Sequence, residues 1–375
     1  MIPFNKYILE SESLNYLTEC VSAGYLQGGG TFSQLCEEQI SKITNLQNVF
    51  LTASCTQALE FSSLLIGLKS GDEVITPAFN FTSSVLAIAN FGATPVFVDI
   101  DIRTKNISTE MIEEVVTPRT KAISVVNYAG IACDYETIDN IAKKYNLVII
   151  EDNAHGFGGY YQNRPLGSFG NLSVHSFHET KNLSCGEGGF ISINDPEFLE
   201  HSFILRDKGT NRKHFIDGIV EKYTWQGLGG SYLLAEPLSA ILFGQLLNFE
   251  KIQRNRLRVW NSYFAGLKNW SENNNVGLPN IPEQNSNVAH MFYLLMPNLT
   301  ARNDLLKFLK ANGIDARFHF QALNISPAGI KYGKSPFSCD NAINLSECIV
   351  RLPLWNGMSD VEVNKVIEIC NKFQV

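Results

Sequence analysis

The sequence predicts an α/β fold: a large domain on a mostly parallel mixed sheet, residues 1–249, then a smaller α/β domain, residues 250–375. Three observations predict it. Short apolar runs recur between helical stretches: 49-VFLT-52, 73-EVITPAF-79, 95-PVFVDI-100, 122-AISVVNY-128 and 147-LVIIED-152. Strands alternating with helices mean a mostly parallel sheet covered on both faces. The noteworthy polar or aromatic residues, Thr56, Phe81, Asp152 and Ser176, fall at strand ends, where such sheets bind ligands. After a long helical run from Tyr232, two alternating segments (AHMFYLLMP and DARFHFQAL) and two helices (303–312 and 359–372) mark the second domain.

The elements follow in order. Residues 10–25 carry Leu14, Leu17 and Val21 near helical spacing. The loop 28-GGG-30 leads to a helix that Thr31 can cap, with Glu37 and Glu38 in its early turns. The strand 49–52 runs into the small polar turn Ala53–Thr56, and a helix is expected from Gln57. Such a helix start offers free N–H groups and a positive dipole end, which suits a phosphate; a plain N-cap would look the same. Helices are expected at 81–92, closed by Gly92, and at 108–116 and 136–145. Residues 206–225 break the alternation and read as a long polar loop concentrating Arg206, Lys208, Arg212, Lys213 and His214. Pro237 would be costly in mid-helix, so the helical run from Tyr232 is expected to start near it.

The totals exclude several classes. The net charge of −7 argues against general nucleic-acid affinity. No apolar run reaches the about 18 residues of a membrane span, and the first residues lack the charged-then-apolar pattern of a signal peptide. The 8 cysteines are scattered with no CxxC pair, which predicts reduced thiols in the cytoplasm and no metal site.

The chemistry is concentrated in 147-LVIIEDNAHGFGG-159 and 173-SVHSFHETKNLSCGEGGFISI-193. An acid ends a buried strand, and a serine and a lysine follow about one βαβ unit later. Lys181 alone would be a solvated surface charge, and Asp152 alone an ordinary strand-end acid. Together with Ser176, Phe81 and the helix start at Thr56–Gln57 they supply what pyridoxal 5′-phosphate needs. The lysine forms a Schiff base with the aldehyde, the acid keeps the ring nitrogen protonated, and the ring acts as an electron sink. Partial burial would lower the Lys181 pKa enough for it to react.

These motifs resemble the DegT/DnrJ/EryC1/StrS sugar aminotransferases, on the type I aspartate-aminotransferase fold. The resemblance spans essentially the whole chain, through MIPFN, SCTQAL, GDEVITPAFNF, FGATPVFVDID, EDNAHG, SFHETKN, GEGG and RLPLWNGMSD. HETKN, RDKGTNR, KYTW and AHMFY suggest the dTDP-4-amino-4,6-dideoxygalactose transaminase subgroup. The resemblance implies that Lys181 holds the cofactor and shuttles the substrate proton, and that Asp152 pairs with the ring nitrogen. It implies that His155 contacts the ring or its 3-hydroxyl, that Phe81 stacks on it, and that Thr56, Gln57 and Ser176 bind the phosphate. Ser231, in 229-GGSYLL-234, stands where many relatives have an Asn that reaches the partner subunit's phosphate. The small-domain motif H-Y-x-P-L-H is here 319-HFQALN-324, with His319 kept but Phe320, Ala322 and Asn324 altered. Arg212, Lys208 or Arg317 would neutralise the diphosphate or the glutamate carboxylates, and the sequence does not choose among them.

The resemblance implies transfer of an amino group from L-glutamate, leaving 2-oxoglutarate, to the 4-keto carbon of a nucleotide-diphosphate-linked 4-keto-6-deoxyhexose such as dTDP-4-keto-6-deoxyglucose, in a homodimer with shared active sites. A 3-keto-sugar aminotransferase is a rival with other regiochemistry. A non-catalytic nucleotide-sugar-binding protein is disfavoured by retention of Lys181, Asp152 and Ser176. A sugar dehydratase of the same fold would have histidine in place of Lys181. A nicotinamide enzyme would need a G-x-G-x-x-G after the first strand, and none is present.

Overall fold

The computed structural model describes residues Met1–Val375. Eleven strands occur in chain order: β1 Val49–Thr52, β2 Glu73–Pro77, β3 Thr94–Val98, β4 Thr120–Val126, β5 Val148–Asp152, β6 Tyr160–Tyr161, β7 Arg164–Pro165, β8 Leu172–Ser176, β9 Gly189–Ile193, β10 Phe292–Leu295 and β11 Ile349–Leu352. Seven form the main sheet, in the order β1-β9-β8-β5-β4-β2-β3. Its core, β3-β2-β4-β5-β8, is parallel, while β9 runs antiparallel to both β8 and β1. The sheet is therefore mixed and mostly parallel.

The apolar runs explain why it is covered twice. Side chains along a strand point alternately to opposite faces. Val74, Ala122 and Ile150 enter one core cluster with the helix Cys55–Leu65. Their neighbours Ile75, Ile123 and Ile149 enter another, with the helix Tyr135–Tyr145. Each fully buried aliphatic side chain of this kind contributes about 1.5–3 kcal/mol relative to exposure.

The small domain pairs β10 antiparallel with β11 against the helices Phe249–Asn273, Leu299–Ala311 and Asp360–Lys372. Its 23-residue core draws on residues 259–370 and on one residue from the other end of the chain, Ile2. Ile2 bridges to Ile314, and its N–H donates to Gly313 O at 2.7 Å. A further cluster joins Phe79, Phe97 and Tyr128 to Tyr293, Leu323 and Ile349, so the two parts share packed surface.

Several expectations are corrected. Thr31 does not cap its helix: the N-cap is Gly30, and the buried Glu236 carboxylate accepts the N–H groups of Gly30, Phe32 and Ser33. The helix expected from Gln57 begins at Cys55, because Ser54 caps it by accepting the Gln57 N–H. Residues 108–116 form two 3-10 turns, Thr109–Met111 and Glu113–Val115. The loop 206–225 contains the short helix Arg212–Ile216. The run from Tyr232 is two helices, Glu236–Leu247 and Phe249–Asn273, parted at Asn248. DARFHFQAL is not a strand; only Arg317 bridges to Arg351 before the chain turns into Leu323–Ile325. No helix is long and apolar enough to cross a membrane.

Candidate active site

A cavity of about 620 Å³ opens beyond the carboxyl ends of β5 and β8. On the sheet side it is lined by Thr56, Phe81, Asp152, His155, Ser176 and Lys181, and on the small-domain side by His290, Arg317, His319, Phe320 and Arg351.

Strand alternation separates the acid pair at the end of β5. Glu151 points away and accepts the N–H groups of Gly167, Phe169 and Gly170 and the Asn127 amide, which makes it a buried knot for the loop 167–170. Asp152 points into the cavity. One of its oxygens accepts from Ser84 Oγ at 2.8 Å and the other from the Ala154 N–H at 3.1 Å. Burial pushes the Asp152 carboxyl up, opposed by Ser84, Ala154 and the charge of Lys181. It forms no ion pair with any side chain, so the site has a carboxylate in need of a cationic N–H.

Lys181 lies in the β8–β9 connection. That loop is pinned by Phe177 N–H to Gly188 O, Glu179 N–H to Gly186 O and Lys181 N–H to His178 O, at 2.8 to 2.9 Å. The next residue, Asn182, ties the loop to the small domain, donating to Val288 O at 2.7 Å and meeting His290 Nδ1 at 3.0 Å. Burial lowers the Lys181 pKa, against the raising influence of Cys55 and Asp152. A less basic amine is a better nucleophile and proton carrier near neutral pH.

At the other wall Phe81, the N-cap of the helix Thr82–Ala89, is 55% exposed. Its ring lies 5.6 Å from that of Phe320. Thr56 Oγ1 and Ser83 Oγ meet at 2.7 Å at the helix start. Gln57 does not line the cavity: its N–H is taken by Ser54, and its Oε1 is buried without a partner.

Hydrogen bonds fix the tautomers of the histidines. His155 Nδ1 accepts from the Ala129 N–H at 3.3 Å, which leaves its proton on Nε2. His290 Nδ1 donates to Asn182 Oδ1, an oxygen that can only accept. The two rings stack at 4.2 Å. Tyr128, its phenol pKa raised by burial, donates to His319 Nδ1 at 2.6 Å. Burial lowers all three histidines well below their usual value, so they are neutral.

The sequence-selected cations part company here. Arg317 lines the cavity, paired with Asp315 at 2.9 Å. Lys208 and Arg212 do not line it; both are bound to Asp207, at 2.6 and 3.2 Å. Ser231 is exposed, bridged to Asp207 outside the cavity. Sequence reasoning missed Ser84, His290, Tyr128 and Arg351. Ser84 sits one helical turn after Phe81, which was the available signal.

The residues fit pyridoxal 5′-phosphate: an unpaired carboxylate for the ring nitrogen, a lysine of lowered basicity, a helix start with two hydroxyls for the phosphate, and an exposed aromatic for the ring. The family model for DegT/DnrJ/EryC1/StrS aminotransferases matches residues 8–371. The chain belongs to that family. It is thus an aminotransferase, and pyridoxal 5′-phosphate is the cofactor its site fits. SpsC of Bacillus subtilis, a spore coat polysaccharide biosynthesis protein, is 29% identical over 98% of this chain and 95% of its own length. The aminotransferase TlmJ of Streptoalloteichus hindustanus superposes with a TM-score of 0.90 at 26% identity, covering 99% of this chain and 98% of that one. Spr1654 of Streptococcus pneumoniae, described as a candidate sugar aminotransferase and solved in its PMP form, gives 0.90 at 25% identity over 99% and 98% of the two chains.

Proposed function

We propose that this family member transfers the amino group of L-glutamate to the 4-keto carbon of a nucleotide-linked 4-keto-6-deoxyhexose. The substrate we favour is dTDP-4-keto-6-deoxyglucose, giving dTDP-4-amino-4,6-dideoxygalactose. The observation that carries the chemistry is Lys181 beside an unpaired, buried Asp152 on one cavity floor. The polysaccharide role of SpsC and the sugar description of Spr1654 support the acceptor class.

When bound, the cofactor supplies a ring that stabilises negative charge on the carbon losing its proton. The rest falls to the chain. Asp152, held by Ser84 and Ala154, keeps its carboxylate aimed at the ring nitrogen. His155 offers its Nε2–H to the ring edge. Thr56 and Ser176 hold the phosphate, and Phe81 covers one ring face. Lys181 takes the proton from the donor carbon and returns one to the sugar carbon. The small-domain wall of His319 and Phe320 flanks the sugar.

We also propose a homodimer. Ile219, Trp225 and Leu228, on the segment that carries Lys208, Arg212 and Ser231, are 68%, 78% and 76% exposed. Apolar surface of this kind is stable when covered. A second subunit seated there would bring those residues to a neighbouring cavity.

The test is incubation with L-glutamate and dTDP-4-keto-6-deoxyglucose, with NMR of the product. A 4-amino-4,6-dideoxyhexose is expected, with 2-oxoglutarate formed in equal amount; a 3-amino product, or none, sinks the acceptor reading. Lys181→Ala is expected to abolish turnover and the visible absorbance of the lysine-linked cofactor together.

A further inference from the structure

Two alanines hold left-handed backbone: Ala129, with φ of 55°, and Ala289, with φ of 46°. An alanine has a Cβ to strain and no polar side chain to offset it, so the conformation persists only where its surroundings fix it. Both serve one pair of stacked imidazoles. Ala129 donates its N–H to His155 Nδ1 at 3.3 Å, and Ala289 precedes His290, whose ring lies 4.2 Å from that of His155. At Ala289 the fixing group is Arg256, a buried guanidinium on the helix Phe249–Asn273. Burial pushes its pKa down to about 9, with no carboxylate to oppose the shift. Its Nε donates to Ala289 O at 3.1 Å and its Nη2 to His290 O at 2.7 Å. A buried cation is thus committed to two carbonyls, and what they hold in place is the ring of His290.

The chain leaving Lys181 needs such support. Residues 182–184 make no backbone–backbone hydrogen bond. Leu183 packs in the core and sets the depth of the segment. Next to Lys181 itself the tether is the Asn182 amide, and every position on it is taken. Its Nδ2 donates to Val288 O at 2.7 Å and to Gln253 Oε1 at 3.3 Å, and its Oδ1 accepts the His290 Nδ1–H at 3.0 Å. Gln253 stands one turn before Arg256 on the same helix. We propose that His290 is a positioning residue for the transfer: through Asn182 it fixes where Lys181 stands, and through its ring it fixes the plane of His155. The proton carrier and the group at the cofactor's edge then keep one spacing. Burial, with His155, Lys181, Arg256 and Arg351 around it, keeps His290 neutral, so its single proton is the one that Asn182 takes. The flexible four-carbon stem of a lysine gives no such precision by itself.

The inference rests on Lys181 as the proton carrier and not on the identity of the sugar, so the glutamate half of the reaction tests it alone. Cofactor-loaded protein is mixed with L-glutamate, and the single-turnover loss of the lysine-linked absorbance is followed. Visible circular dichroism before mixing reports how rigidly the cofactor is held. His290→Phe keeps a flat ring against His155 and removes the donor to Asn182. It is expected to weaken the dichroism and to slow the turnover about ten- to a hundredfold, the cost of a reacting group displaced by about 1 Å. The half-saturating glutamate concentration should stay within about twofold. Asn182→Ala should lose at least as much, and combining the two substitutions should add nothing further. His290→Asn puts an amide N–H near the place of Nδ1 and should recover most of the rate. Wild-type rate and dichroism in His290→Phe overturn the proposal. So do losses that multiply in the double variant, or a His290→Asn enzyme as slow as His290→Phe. Wild type without lysine-linked absorbance would defeat the reading of Lys181 and this inference with it.

Discussion

At the scale of single residues, the site depends on groups whose partners lie far off in sequence. Ser84 donates to Asp152 across 68 positions. Ser84→Ala leaves the carboxylate with only the Ala154 N–H, so its pKa rises further and its hold on a ring N–H weakens. Hydrogen bonds to charged groups contribute about 1.5–3 kcal/mol, so the dissociation constant for pyridoxal phosphate should rise about tenfold or more by equilibrium dialysis. An unchanged constant would remove Asp152 as the ring anchor. His175 gives a second, independent reading. It is fully buried, stacked on Phe190 at 4.1 Å, and burial lowers its pKa to about 3 from 6.5. Between those values the unfolded chain binds more protons than the folded one. This contribution to stability is complete above pH 6.5 and is lost as pH falls toward 3. Each pH unit in the window costs about 1.4 kcal/mol, and His175→Gln should flatten the pH dependence of urea unfolding by about that slope. That Lys181, Asp152, Phe81 and Ser176 share one cavity was legible in the sequence because each stands at or a few residues after a strand end. Arg351 was not, because nothing in RLPLW tells an arginine facing a cavity from one facing solvent.

At the scale of elements, the strands of the sheet were readable, and so was the helix start that Pro237 marks, but the starts at Thr31 and Cys55 were not. Continuous apolar runs identify strands covered on both faces. A helix start is decided by whatever finds its free N–H groups, and for Thr31–Thr44 that is Glu236, some 200 positions away. Glu236→Gln turns one acceptor into a donor aimed at N–H groups, so a loss of about 2–4 kcal/mol is expected in denaturant unfolding. The start of Cys55–Leu65 is positioned differently, by close approach. A Cβ on Gly189 would lie 2.6 Å from Cys55 N, 2.7 Å from His175 O and 2.8 Å from the Ser54 carbonyl carbon, all backbone atoms that cannot swing away. Gly189→Ala should therefore push the helix start from the sheet and weaken phosphate binding, read as lower cofactor affinity and a lower Tm. Full cofactor affinity in that variant would show that the helix start does not hold the phosphate.

At the scale of the whole molecule, the sequence hid how the Lys181 loop is tied to the C-terminal part of the chain. Asn182, adjacent to Lys181, is fastened to Val288 and His290. Such ties depend on three-dimensional neighbours and leave no periodic trace. The exposed Trp225 and Leu228 segment belongs to this scale too. Light scattering should give about twice the 41.8 kDa chain mass, and Trp225→Asp should shift the protein toward monomer with loss of activity. A wild-type monomer that turns over would exclude a shared site.

The bridge from Ile2 to Ile314 also sets a timetable. Phe4 and Asn5 wall the cavity next to Arg317 and Arg351, but those arginines are made more than 300 positions later. At ribosomal rates of about 5–20 residues per second, Phe4 and Asn5 wait on the order of 15–60 s for their partners. The parallel sheet can form meanwhile, whereas the wall that Phe4 and Asn5 share with the two arginines cannot. A nascent chain halted before residue 314 should carry a folded sheet and an open, unfinished pocket. Competence to bind substrate would then come only once the segment that carries Arg317 and Arg351 has been made.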